Sequence, residues 1–255
     1  MIDTPYIYSL NRQIQGICLF TLLKLRHIIN IYQHSVDCKN RSHQLILEVI
    51  LDTNYLEWIK DNWQKSAILV LIYVIVSLVP LYSRIELIDF MTLMAFPLYL
   101  VHEIEEYIFP GGFSSFFNSN LLKVNPEDEI VPIDREIIFW INLIYIWLII
   151  PVFSGLGLYN MMFAAWIPYF FFFQALGHLA MGIKGKMLLN PGIRSSFILH
   201  IPYSILMIYL LNENEVLANP YINVYMIIGF SFNLLLPLFA KFVVMPRYHR
   251  RLKEK

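Results

Sequence analysis

Six long apolar runs leave this chain little choice of fold. They lie near residues 66–82, 87–109, 137–153, 158–183, 196–211 and 222–245. A hydrocarbon layer about 30 Å thick is crossed by a helix of about 20 apolar residues, and each run is near that length. In lipid, every backbone N–H and C=O must be satisfied within the protein, so only helices and closed barrels span it. None of the runs shows the apolar–polar alternation of a barrel strand. The chain is 58% hydrophobic and 15% charged, against about half and a quarter in a soluble domain. The expectation is an all-α, polytopic membrane helix bundle of about six transmembrane helices. Pro97, Pro168, Pro202 and Pro237 fall inside the runs, where membrane helices tolerate kinks.

The basic residues set the expected topology. One set of connections carries Lys60 and Lys65, then Lys123 and Arg135, then Lys184, Lys186 and Arg194, then Arg247, Arg250, Arg251, Lys253 and Lys255. The alternate set carries only Arg84. Lys and Arg accumulate on the cytoplasmic side, so both termini are expected in the cytoplasm, which requires an even number of spans. Residues 1–62 are expected to be a helical N-terminal extension, cytoplasmic or on the membrane surface, ahead of a bundle over 63–255. Within that extension, residues 14–32 are apolar but interrupted by Lys24, Arg26 and His27, as in an interfacial amphipathic helix. A polar helix is expected over 44–63. The start of the chain lacks the basic n-region of a secretory signal. Cys18 and Cys38 suggest neither a disulfide framework nor a metal site. With 19 Lys+Arg against 19 Asp+Glu, no global charge points to nucleic acid.

Against this background the sequence His102-Glu103-Ile104-Glu105-Glu106 stands out, since ionisable groups inside an apolar span are costly and usually mark a site. At 100° per residue, His102, Glu105 and Glu106 lie within an arc of about 100°. Glu103 falls outside that arc and is expected near the interface or a neighbouring helix. The expected topology brings further polar residues to the same depth. Gln174 and His178 sit one turn apart on the fourth run, with His178 about 9 Å before Lys184. His200 lies just inside the fifth run, and Asn142 near the start of the third. Gly177, beside His178, is expected to allow a close helix approach.

These residues resemble the HXXEE family of integral-membrane proteins. HEIEE at 102–106 is similar to the family's signature, QALGH at 174–178 to its second motif, and Asn190-Pro191-Gly192 to its Pro-Gly turn. The resemblance covers roughly residues 90–211. It departs at Gln174, where the family usually has Asn. The resemblance implies a membrane enzyme with no assigned reaction.

Histidines and carboxylates together suit a divalent transition metal such as Zn, Fe or Mn. The expected ligands are His102, His178 and Glu106, with Glu105 as general base toward metal-bound water or as bridge to a second metal. Glu105, Glu106 and His102 are thus the expected catalytic residues. Gln174, His200 and Asn142 are accessory, with His200 at the rim of the same cavity. A site one or two turns below the cytoplasmic surface would meet a membrane lipid or membrane-embedded substrate. Metal-dependent hydrolysis or another modification of such a molecule is the leading expectation. The alternatives are a proton- or cation-coupled transporter and a non-catalytic interaction protein.

Overall fold

The structure is a computed structural model that describes residues 53–254; the extension expected over 1–62 therefore lies outside the described residues up to position 52. The described residues are all-helical, with no strand among them. Six helices are long and apolar enough to cross a membrane: α1 (Tyr55–Leu81), α2 (Leu87–Tyr107), α3 (Arg135–Tyr159), α4 (Met161–Gly185), α5 (Ile193–Glu213) and α6 (Val224–Lys253). One boundary differs from expectation. No break separates the polar stretch before Lys65 from the first apolar run: helix α1 continues through it. The break between the third and fourth runs falls at Asn160. Its backbone is extended, and its side chain accepts from the Met162 N–H. Pro151 lies in the first turn of a helical segment, where its missing N–H costs nothing.

The amount of surface each helix hides assigns its place. In its most apolar stretch α4 buries 56% of its residues and α2 44%, whereas α1 and α6 bury only 11%. The first pair therefore carries the core, and the outer pair presents apolar side chains such as Leu69, Tyr73 and Val76 outward. Such a surface is tolerable only where the solvent is itself hydrocarbon. The main core packs Tyr99, Ile146, Ile150, Trp166, Phe170, Phe171, Tyr203 and Met207. Gly229 lets α6 approach α4 closely, since a Cβ there would stand 2.6 Å from Phe170 N and 2.8 Å from Trp166 O.

A second cluster joins Trp63, Ile133, Ile137, Phe139 and Val244. Ion pairs crown it. Lys60 and Arg247 meet Glu136 at 3.4 and 2.9 Å, Arg251 meets Asp134 at 2.9 Å, and Arg135 pairs with Asp61. These contacts gather the start of α1, the start of α3 and the end of α6 at one end of the bundle. Three of the four basic segments in the sequence thus share one end.

Two features between and within the helices shape the site. After α2, a short helical hook over 113–121 returns the chain toward α3. Asn118 staples it by donating to Ile133 O at 2.9 Å and accepting from Ile133 N at 3.0 Å, and Asn120 ties it to Gly185 O. In addition, wide π-turns interrupt α3 at Tyr145–Ile149, α5 at Ser196–His200 and α6 at Ala240–Val244. Such turns re-aim side chains and often occur at functional sites.

Candidate metal centre

His102, Glu106 and His178 converge in the core near that same end. All three are buried, and one potential ligand atom from each lies within 4.8 Å of the others. His102 Nε2 stands 3.4 Å from Glu106 Oε1, and His178 Nε2 stands 3.3 Å from the same oxygen. The i,i+4 spacing puts His102 and Glu106 on one face of α2, and α4 packs its His178 against that face. The geometry is well inside the separation of roughly 8 Å that one shared ion or water requires.

The turn before α5 closes over the trio. Gly192 has φ +90°, and a Cβ there would lie 2.6 Å from His178 Cε1, 2.8 Å from His102 Cε1 and 2.9 Å from Glu106 Cγ. Only glycine both adopts this backbone and leaves room for the two rings. The Pro-Gly turn recognised in the sequence is therefore a wall of the centre.

Residues beyond the trio fix the two imidazoles. His178 Nδ1 lies 3.0 Å from Asn190 Oδ1, while Asn190 Nδ2 donates to His178 O at 3.0 Å. Because the amide nitrogen is committed to that carbonyl, the amide oxygen must face the ring, and His178 Nδ1 donates. His102 Nδ1 lies 2.9 Å from Ser195 Oγ. The Ser195 hydroxyl gives its proton to Glu105 Oε2, a carboxylate that can only accept. The network thus assigns His102 Nδ1 as the donor to Ser195 Oγ. With each Nδ1 so engaged, each Nε2 faces Glu106, and His102 Nε2 also lies 3.1 Å from Gln174 Nε2. Neutral rings would set their lone pairs against a carboxylate there, an arrangement that a cation or shared protons between them relieves. A hydrogen bond to the other ring nitrogen is the usual way that proteins orient a metal-binding histidine.

Glu105 has a role other than the one expected. Its Oε1 accepts from Arg194 N at 3.1 Å and its Oε2 from Ser195 N at 2.6 Å, in addition to the Ser195 hydroxyl. It caps the start of α5, where unpaired N–H groups and the helix dipole favour an anion. Both its oxygens are engaged at the start of α5, and it is not among the three residues whose ligand atoms converge. Glu103 also departs from expectation in part. It does meet a neighbouring helix, accepting from Trp147 Nε1 at 2.9 Å, but it is 1% exposed and deep in the bundle rather than at an interface.

The accessory residues divide. Gln174 contacts the Tyr99 hydroxyl and lies 3.1 Å from His102 Nε2; its Oε1 is buried without a partner among the described residues. Asn142 donates to Tyr107 Oη at 3.1 Å and to Ile138 O at 2.9 Å, so it belongs to the wall and not to the centre. His200 is fully buried, not at a rim. Its ring sits 4.6 Å from that of His102 and stacks near Tyr99 and Phe171, with neither nitrogen hydrogen-bonded among the described residues.

One side of the centre opens into a chamber of about 650 Å³, lined by residues of α2, α3, α4, α6 and the hook. Glu106, Gln174 and His178 reach it, as do Tyr99, Phe170 and Lys184. Gly177 lines it as well, and a Cβ there would meet nothing within 4 Å. The expected close helix approach at Gly177 is therefore wrong: this glycine leaves space in the chamber.

Asn190, Ser195 and Gly192 were beyond sequence reasoning as parts of the centre. The available signal was the Asn-Pro-Gly turn followed by a helix start carrying serine, which attracts a carboxylate. The motif does appear in a wider comparison. A family model described as "Protein of unknown function with HXXEE motif" matches residues 93–207, from the middle of α2 into α5. No curated protein and no solved structure matches the chain.

Proposed function

We propose that the chain, whose residues 93–207 match the HXXEE family model, is a multi-pass membrane enzyme. His102, His178 and Glu106 would bind a divalent transition metal. The chamber beside them would hold a lipid or another membrane-embedded substrate. The observation that supports this reading is the convergence of two Nε2 atoms, each on a ring whose Nδ1 is held by a hydrogen bond, on one carboxylate oxygen. Two nitrogens and one oxygen form a three-ligand set of the kind that leaves catalytic zinc an open position; iron and manganese fit the same donors.

The reaction class that suits the site is hydrolysis of an ester or amide. A bound metal supplies Lewis acidity and acidifies water at neutral pH. Glu106 Oε1 would help to hold the metal, and the other oxygen of this carboxylate would receive the water's proton. The water oxygen then bonds to the acyl carbon, the acyl–O or acyl–N bond breaks, and the proton passes to the leaving group. Glu105, Ser195 and Asn190 hold the two imidazoles at fixed angles. The basic connections support a cytoplasmic location for both termini, which would put the centre near that face.

Elemental analysis of detergent-purified protein tests the metal. One transition-metal ion per chain is expected, falling toward zero in His102→Ala, His178→Ala and Glu106→Gln. A folded wild-type protein that neither contains nor takes up Zn, Fe or Mn would refute the metal reading. The cluster would then be a proton-sharing group of the kind found in ion-coupled transporters.

A further inference from the structure

The chamber itself carries information about what enters it. Its α4 wall runs from Phe170 to Lys184, which is about 21 Å of helix. Its inner end is apolar, built from Tyr99, Ile146, Phe170 and Phe173. The polar atoms of Glu106, Gln174 and His178 come at mid-length. Two cations, Lys184 on α4 and Lys241 on α6, lie along the end where the basic segments gather.

The cations at this end differ in their partners. Lys60, Arg135, Arg247 and Arg251 are paired with Glu136, Asp61 and Asp134. Lys184 and Lys241 form no ion pair among the described residues; Lys241 lies only over the Phe242 ring. Neither of the two cations that line the chamber has an acidic partner among the described residues. A ligand that brings its own negative charge would complete them. Lys184 is six residues beyond His178, about 9 Å along the helix. An anion held at Lys184 and Lys241 therefore places the next few bonds of the same molecule at the centre, and leaves the apolar end for a chain. The open space at Gly177 lets that chain pass His178.

We propose that the chamber binds a single-chain phospholipid. Its phosphate would sit on Lys184 and Lys241, its acyl ester at the His102/Glu106/His178 centre, and its acyl chain along Tyr99, Ile146 and Phe170. The proposal rests on the reading of the centre as the place of reaction, whereas the binding it describes can be measured without turnover. The volume is in the range of small-molecule sites, about 300–1,000 Å³, which suits one chain.

The test uses the full chain in nanodiscs of zwitterionic phosphatidylcholine and competition against a photoactivatable lysophosphatidate. Competitors are oleoyl-lysophosphatidate, oleoyl-lysophosphatidylcholine, monooleoylglycerol and oleate. Lysophosphatidate is expected to bind about tenfold more tightly than the zwitterionic and uncharged lipids, the size of one charge-assisted contact. The Lys184→Gln/Lys241→Gln double variant should erase that preference. Gly177→Met, whose side chain has room to enter the chamber, should weaken all four competitors. Equal binding of the lysolipids by the wild type, a preference that survives the double lysine change, or an unaffected Gly177→Met would overturn the proposal. Oleate binding as tightly as lysophosphatidate would also overturn it, since oleate has no ester to place at the centre. Metal content measured on the same samples separates the two readings. Lipid preference without metal would refute only the enzyme; metal without lipid preference would refute only this ligand.

Discussion

Gly192→Ala offers a decisive perturbation, because its cost divides into two parts that a second glycine separates. The first part is backbone strain. Gly192 sits at φ +90°, and placing an L-residue in left-handed backbone costs about 1–2 kcal/mol. The second is the clash. The new Cβ would stand 2.6 Å from His178 Cε1. To restore a 3.4 Å contact the ring would have to retreat by about 0.8 Å, and Asn190 and the α4 backbone hold it in place. Forcing a methyl group into such packing costs about 1–3 kcal/mol. The sum is about 2–5 kcal/mol, a large part of the stability of a typical domain. Gly112 is the control: its φ is +89°, and a Cβ there meets nothing within 4 Å. Gly112→Ala should therefore show the strain alone. Thermal unfolding in detergent should place Gly192→Ala below Gly112→Ala by about 2–12 °C, from about 2–4 °C per kcal/mol at this chain length. Metal analysis should show Gly112→Ala loaded and Gly192→Ala depleted, since the displaced rings are the proposed ligands. Equal melting temperatures, or full metal occupancy in Gly192→Ala, would refute the placement of this turn against the centre.

Other outcomes follow from the same network. Ser195→Ala removes the link between Glu105 and His102; metal affinity should fall about 10–100-fold, as for other residues that orient a ligand, with titration against a competing chelator as the readout. Glu105→Gln places an N–H₂ against backbone donors at the start of α5, so it should also lower the melting temperature, by a cost of about 1–3 kcal/mol; a stable, fully loaded variant would contradict the capping role. Glu103→Gln should keep the metal and lose no stability, because its amide oxygen can still accept from Trp147 and a buried amide costs less than a buried carboxylate; metal loss would show that Glu103 belongs to the centre. Membrane-impermeant thiol labelling should reach cysteines placed at Lys186 and Lys253 from the same side, and one placed at Arg84 from the other; any other pattern would refute the topology.

The class of this protein was legible in one dimension. Hydropathy and the positions of Lys and Arg are properties of segments, and a bilayer sorts segments. Six spans and the common depth of His102, Glu106 and His178 could therefore be read along the chain, and the structure contains the same six apolar helices and gathers these side chains. The family resemblance across 93–207 needed no more than the order of three short motifs.

The division of labour among the three carboxylates was decided by packing. At 100° per residue, Glu103, Glu105 and Glu106 leave α2 in three directions, and the sequence of α2 alone does not specify what stands opposite each. Trp147 on α3 faces the first, the start of α5 the second and His178 on α4 the third. Equivalent carboxyl groups thus become a helix-packing contact, a helix cap and a candidate ligand. The same holds for Gly177 and Gly192, one bordering open space and the other pressed against two imidazoles. A glycine reads the same in either setting until its neighbours from other helices are in place. In a membrane bundle, composition and charge determine which segments cross and how deep each residue lies. The azimuth and partner of each polar side chain depend on helix–helix contacts between residues far apart in sequence, and these contacts decide which ionisable groups form the centre and which merely support it.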